Sequence, residues 1–156
     1  MATVNNGARR KKAGSGKIRF GTKAETLLRL APVLASARVL PLCYFTAAEW
    51  AERPNRPLQR IQSQFSGRRL AIRSSALQED GSDESMAGRF HSVLDVDSGN
   101  PEALRYAIDS VFASFPAAAG NQVLIQPMLT DIAVSGVVAS HGVSSGAPYY
   151  VLNYDA

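Results

Sequence analysis

Apolar and polar positions alternate differently in the two halves of this chain. From Lys23 onward, Ala24, Leu27, Leu28, Leu30, Ala31 and Leu34 recur at helical spacing, which predicts an amphipathic helix bent or ended by Pro32. Val39 to Phe45 is a short apolar run and reads as a buried strand. Thr46-Ala-Ala-Glu49 has the form of a capping box, opening a brief helix over Glu49 and Trp50. Beyond Pro54 and Pro57, the positions Leu58, Ile61, Gln62 and Phe65 share one helical face, and Gly67 closes that helix.

The second half is richer in strands. Leu70 to Arg73 predicts a strand, a polar loop follows from Ser74 to Arg89, and His91 to Val96 predicts a second strand. Asn100 and Pro101 stand as N-cap and first residue of a helix whose buried stripe is Ala103, Leu104, Ala107, Ile108, Val111 and Phe112. Three further strands are predicted at Gln122–Met128, Ile132–Ser140 and Tyr149–Asn153, with Pro127 read as an interruption of pairing. Strands and helices do not alternate as βαβ units and no repeat occurs. The predicted class is therefore α+β, a mixed or antiparallel sheet packed by helices.

Composition changes this picture in one place. With 156 residues, 46% hydrophobic and 19% charged, the chain suits one soluble domain or part of a larger one. The net charge of +4 comes from the front, where Arg9, Arg10, Lys11, Lys12, Lys17 and Arg19 are accompanied by no acid. Residues 1–16 read as a disordered basic tail and residues 17–156 as the folded part. A solvated terminus is the plain reading of that tail. Nucleic acid is not the expected partner, because Phe20 stands alone as a stacking residue beside it.

Cys43 is the single cysteine, so no internal disulfide forms, and its apolar surroundings suggest a buried structural thiol. No apolar run approaches the length of a membrane span and no secretory signal follows the basic start. A cytoplasmic protein is the default expectation.

The most distinctive segment runs from Ala71 to Leu94: a strand delivering Arg73-Ser-Ser-Ala76, then Glu79-Asp80, then Ser85-Met-Ala-Gly88 before a second strand. Gly21-Thr-Lys-Ala24 precedes a leucine-rich helix, Val123-Leu-Ile-Gln-Pro-Met-Leu129 follows later, and Ser135-Gly-Val-Val138 comes after it. In that order, these pieces resemble the N-terminal ATP-binding (ATP-grasp) domain of the phosphoenolpyruvate synthase and pyruvate phosphate dikinase family. The resemblance covers residues 21–138. It implies a partial ATP-grasp domain, ATP as ligand, and a kinase or dikinase type of phosphotransferase that passes phosphate from ATP through an enzyme histidine to pyruvate. It also implies that the chain stops short of the subdomain carrying the magnesium-binding acids and lacks the phosphohistidine domain. On this reading the chain is an ATP-binding portion that does not catalyse alone, Mg2+ enters only with the second subdomain, and the remaining domains of a split or truncated dikinase are partners. The alternative is a non-catalytic interaction or regulatory module derived from the same fold.

The residues agree with that chemistry in their own terms. Arg73, at a strand end, offers a permanent planar cation to phosphate oxygens, and equally an ion pair to Glu79 or Asp80. Lys23 adds a point charge at a helix start, or is simply solvated. Ser85, Ala87 and Gly88 are small enough for backbone amides to approach an anion, or form a turn. Gln126, Met128 and Leu129 offer backbone groups and an apolar wall to adenine, or belong to an edge strand. His91, read as a partly buried strand residue, and His141, read as a turn residue, resemble no phosphohistidine motif. Two departures stand out. Thr22 occupies a position where the family usually has glycine, and Ser140-His-Gly-Val143 replaces a Thr-x-Asp-Pro-like stretch.

Overall fold

Local cap chemistry sets where the helices begin. A computed structural model describes residues 20–76, 91–114, 116, 118–142 and 144–156. The basic tail and Glu79, Asp80, Ser85, Ala87 and Gly88 lie outside the described residues. Helix α1 spans Lys23–Leu30, with the Thr22 hydroxyl accepting from the Glu25 N–H, and it ends with Ala31 as C-cap, just ahead of Pro32. Helix α2 (Ala47–Glu52) starts at Thr46, whose hydroxyl accepts from the Glu49 N–H at 3.1 Å. The Glu49 carboxylate does not complete the reciprocal box and lies 3.7 Å from Arg60 instead. Helix α3 (Asn55–Gln64) tolerates Pro57 because it falls in the first turn, where an N–H has no intrahelical partner to lose. Gly67, at φ 69°, then turns the chain through a left-handed conformation.

Helix α4 (Pro101–Ala113) has the strongest cap, since Asn100 Oδ1 accepts from the Glu102 and Ala103 N–H groups at 3.1 and 3.0 Å. Replacing Asn100 with alanine is expected to cost about 1 kcal/mol. Thermal unfolding should show this as a midpoint lowered by roughly 2–8 °C. An unchanged midpoint would mean that water replaces the cap without loss.

The main sheet comprises β1 (Cys43–Thr46), β2 (Arg69–Ser75), β3 (Ser92–Asp97) and β4 (Gln122–Pro127). Their order is β1-β4-β2-β3 and every neighbour pair is antiparallel, so the sheet is not mixed. A separate antiparallel hairpin joins β5 (Ser135–Ala139) to β6 (Val151–Asp155). Its side chains are mostly exposed, with Val138, Leu152 and Tyr154 among them.

Several details depart from the sequence reading: β2 runs on through Ser74 to Ser75, and the last two strands begin only at Ser135 and Val151. β1 begins only at Cys43, opposite Ile125. Extending that register by two residues would set Pro41 against Pro127, and neither has an N–H to donate. Pro127 itself is buried and pairs with Leu70 rather than interrupting the β2 ladder. His91 is exposed and lies before β3, with its backbone N–H 3.3 Å from the Ser114 hydroxyl. His141 lies in an exposed bend, its Nδ1 3.1 Å from the Ser140 hydroxyl.

One face of the main sheet packs on the helices. Phe45, Leu70, Ile72, Val123 and Ile125 point into a cluster with Ile61, Leu104, Ile108 and Val111. Trp50 stacks on Phe45 at 5.6 Å between ring centres, and its indole N–H donates to Asp109 at 2.7 Å. Cys43 belongs to the same cluster, and burial pushes its thiol up even though Arg60 Nε lies 3.3 Å from the sulfur. The outer side of β1 is closed by α3, where Arg60 donates to the Tyr44 carbonyl and Gln64 to the Leu42 carbonyl. At the opposite edge, β3 carries a bulge at its left-handed Asp95 (φ 61°), which ion-pairs with Arg69 at 2.7 Å. Both devices discourage further strand addition.

Candidate functional site

The second face of the sheet carries α1 and collects the residues singled out from the sequence. Side chains alternate across a strand, so β2 turns Arg69, Ala71, Arg73 and Ser75 to one side. The register places Ser75 beside Gln122, Arg73 beside Leu124, Ala71 beside Gln126, and the Met128 N–H on the Arg69 carbonyl at 2.8 Å. Arg73, Gln126 and Met128 therefore share one face, with Tyr44 and Ser92 as further neighbours in the Arg73 row. Successive rows on one face are about 7 Å apart, and two steps, about 14 Å, separate the rows of Arg73 and Met128.

Helix α1 is fastened over the Ser75–Gln122 end. The Ala24 N–H donates to the Ser75 hydroxyl at 3.0 Å, and the Thr22 hydroxyl donates to Gln122 at 2.7 Å. Lys23 is the first helical residue, and its ammonium lies 3.4 Å from the Ser74 carbonyl. The structure thus brings Lys23 to the strand end that carries Arg73. The Arg73 side chain is exposed and makes no ion pair among the described residues. Its alternative partners, Glu79 and Asp80, fall outside those residues, as do Ser85, Ala87 and Gly88. Arg69 is a second cation on this face, but Asp95 holds it: the bond keeps the Asp95 carboxyl below its usual range and raises Arg69.

At the far end the geometry revises which groups are available. The Met128 N–H is already spent on Arg69, so it cannot read a ligand. Gln126 is only 8% exposed, and among the described residues its carboxamide makes no hydrogen bond. A carboxamide both donates and accepts, which suits the edge of a heterocycle. β1 stops at Cys43, so it does not flank the ladder beyond Ile125, where Met128 is half-buried and Leu129 exposed. A hollow of about 420 Å3 elsewhere, between α2 and the residues before β4, is lined by Ala47, Ala48, Ala51 and Phe112 with two further alanines and a proline. It has no charged group to meet an anion, and we give it no part in the site.

Residues 55–122 match the family model described as pyruvate phosphate dikinase, AMP/ATP-binding domain. Over this segment the chain is similar to that dikinase family's nucleotide-binding domain. The matched segment takes in α3, β2, β3 and α4 and reaches the first residue of β4, so it includes Arg73 and Gln122. Lys23 and Gln126 to Leu129 lie beyond it and join the matched segment only through the sheet register and the α1 contacts. No curated protein and no solved structure matches the chain.

The sequence reading missed Gln122 and Ser75, and took Thr22 only as a departure from the expected glycine. Two signals were present. Thr22-Lys-Ala-Glu25 is itself a capping box, and Gln122 and Gln126 are polar positions of equal parity in an otherwise apolar strand.

Proposed function

We propose that the sheet face bearing Arg73 binds ATP, as the ATP-binding portion of a phosphotransferase like phosphoenolpyruvate synthase or pyruvate phosphate dikinase. Phosphates lie at the α1 end against Arg73 and Lys23, and adenine lies toward Gln126, Met128 and Leu129. The observation that carries this reading is the match to an AMP/ATP-binding domain over the segment that presents Arg73 on the same face as Gln126. An exposed guanidinium offers a rigid fork of donors to phosphate oxygens. An ammonium has three donors, so a carbonyl and a phosphate oxygen do not exclude one another at Lys23. Ser85, Ala87 and Gly88 keep their proposed place as the covering loop. Among the described residues no group of three His, Cys, Asp or Glu can hold a metal, and we route no step through Mg2+. No helix of the described residues is long and apolar enough to cross a membrane, and we place the protein in the cytoplasm.

The reading is tested by calorimetric titration of the full chain with ATP and with adenosine. Met128→Ala should weaken both ligands alike, by about three- to tenfold, because a wall residue touches the base and not the phosphates. A loss confined to ATP would remove Met128 from the base side. Absence of ATP binding by the wild-type chain would overturn the reading and leave the non-catalytic interaction module in its place.

A further inference from the structure

We propose that Gln122 is the positioning residue for Lys23, acting through the cap of α1; this rests on the assignment of Lys23 to the phosphates. Gln122 opens β4, is 5% exposed, and lies between Thr46 and Ser75 in the register. Two bonds tie it to the helix start, and a third, between Glu25 and Thr22, closes a ring. The Glu25 N–H donates to the Thr22 hydroxyl at 3.3 Å, that hydroxyl donates to Gln122 Oε1 at 2.7 Å, and Gln122 Nε2 donates to Glu25 Oε1 at 3.2 Å. A hydroxyl has one proton and a carboxylate only accepts, so every role in the ring follows, including the orientation of the carboxamide.

In an ordinary capping box the glutamate turns back to its own N-cap N–H. Here Glu25 is drawn onto the sheet instead, and the helix cap becomes a joint between α1 and β4. Ser75, in the same row, accepts from the Ala24 N–H at 3.0 Å. Lys23 therefore sits between two residues that are each bonded to the sheet, Thr22 to β4 and Ala24 to β2. Its backbone is thereby fixed against the sheet, and its stem brings the ammonium to 3.4 Å from the Ser74 carbonyl. Gly21 fits this joint, since a Cβ there would come within 2.2 Å of Glu25 Oε2. Glu25 cannot swing away cheaply: its other oxygen is held by Gln122, and Arg29 lies 3.3 Å from Oε2.

The test measures affinity of the full chain for ATP and adenosine in wild type, Gln122→Met, Lys23→Met and the double variant. Gln122→Met should weaken ATP by about three- to tenfold and leave adenosine unchanged. In the Lys23→Met background the same substitution should have no further effect, because the charge it positions is gone. Thr22→Val should behave like Gln122→Met, whereas Thr22→Ser keeps the hydroxyl and should restore wild-type affinity. If the Gln122 loss adds in full to the Lys23 loss, Gln122 acts elsewhere and this proposal is overturned while the ATP reading stands. If Lys23→Met alone costs nothing, Lys23 is not at the phosphates and the proposal is overturned with it. Failure of the wild-type chain to bind ATP overturns both readings. Should Gln122→Met not fold, as its melting curve will show, the Thr22→Val and Thr22→Ser pair decides the question in the same way.

Discussion

Replacing Arg73 with alanine is expected to weaken ATP binding by about ten- to a hundredfold while leaving adenosine unaffected. The asymmetry follows from what a guanidinium recognises. It offers charge and a fork of N–H donors to phosphate oxygens, and adenosine has none to offer. Because Arg73 is exposed, part of the Coulomb attraction is screened, and the loss should sit nearer ten than a hundred at physiological salt. The difference between wild type and variant should shrink further as salt rises. Arg73→Lys should recover only part of the affinity, since an ammonium keeps the charge and loses the planar fork. Titration with both ligands at two ionic strengths makes the measurement. Equal loss of ATP and adenosine would place Arg73 in a structural role, and no loss of either would end its assignment to the phosphates.

Ile125→Ala should damage the fold severely, at about 2–5 kcal/mol. Ile125 is fully buried in the strand that lies between β1 and β2, opposite Cys43 on one side and Ile72 on the other. Strands on both sides limit how far the sheet can close the cavity left by the lost methyls. Small domains have a total stability of about 5–15 kcal/mol, so this change alone removes a large share of it. Urea unfolding should show a much lower midpoint with an unchanged slope. A loss below about 1 kcal/mol would mean that the core repacks around the site.

What the sequence disclosed, it disclosed through local chemistry. The caps at Thr46 and Asn100 were legible because a cap is decided within four residues of itself. The buried stripe of α4 was legible for the same reason: Leu104, Ala107, Ile108 and Val111 are all buried, as the spacing required. The start of β1 was not legible, because Pro41 matters only once Pro127 is its opposite number, and nothing near either residue says so. Pro127 was misread likewise, as its ladder with Leu70 depends on a strand more than fifty positions away. At the site, the polar and apolar alternation gave the parity of Arg73 and Gln126, but only the register showed that both face the same way. Gln122 carried a local mark only in its parity with Gln126; its task was not legible, since its partners are Thr22 and Glu25 about a hundred positions earlier.

The insertion of β4 between β1 and β2 has a consequence for the order in which the protein can assemble. β2 and β3 are sequence neighbours in the sheet, whereas β1 and β2 do not pair with each other and are joined in the sheet through β4. The backbone ladders that join them wait for a strand that is synthesised last of the four, and closing such long loops is entropically slow. Until residues 122–127 arrive, the inner edges of β1 and β2 both stand open with the apolar side chains of Phe45 and Ile72 beside them. A nascent or refolding chain should therefore be most prone to aggregation in that interval, and rescue by a chaperone should be needed before β4 has inserted rather than after.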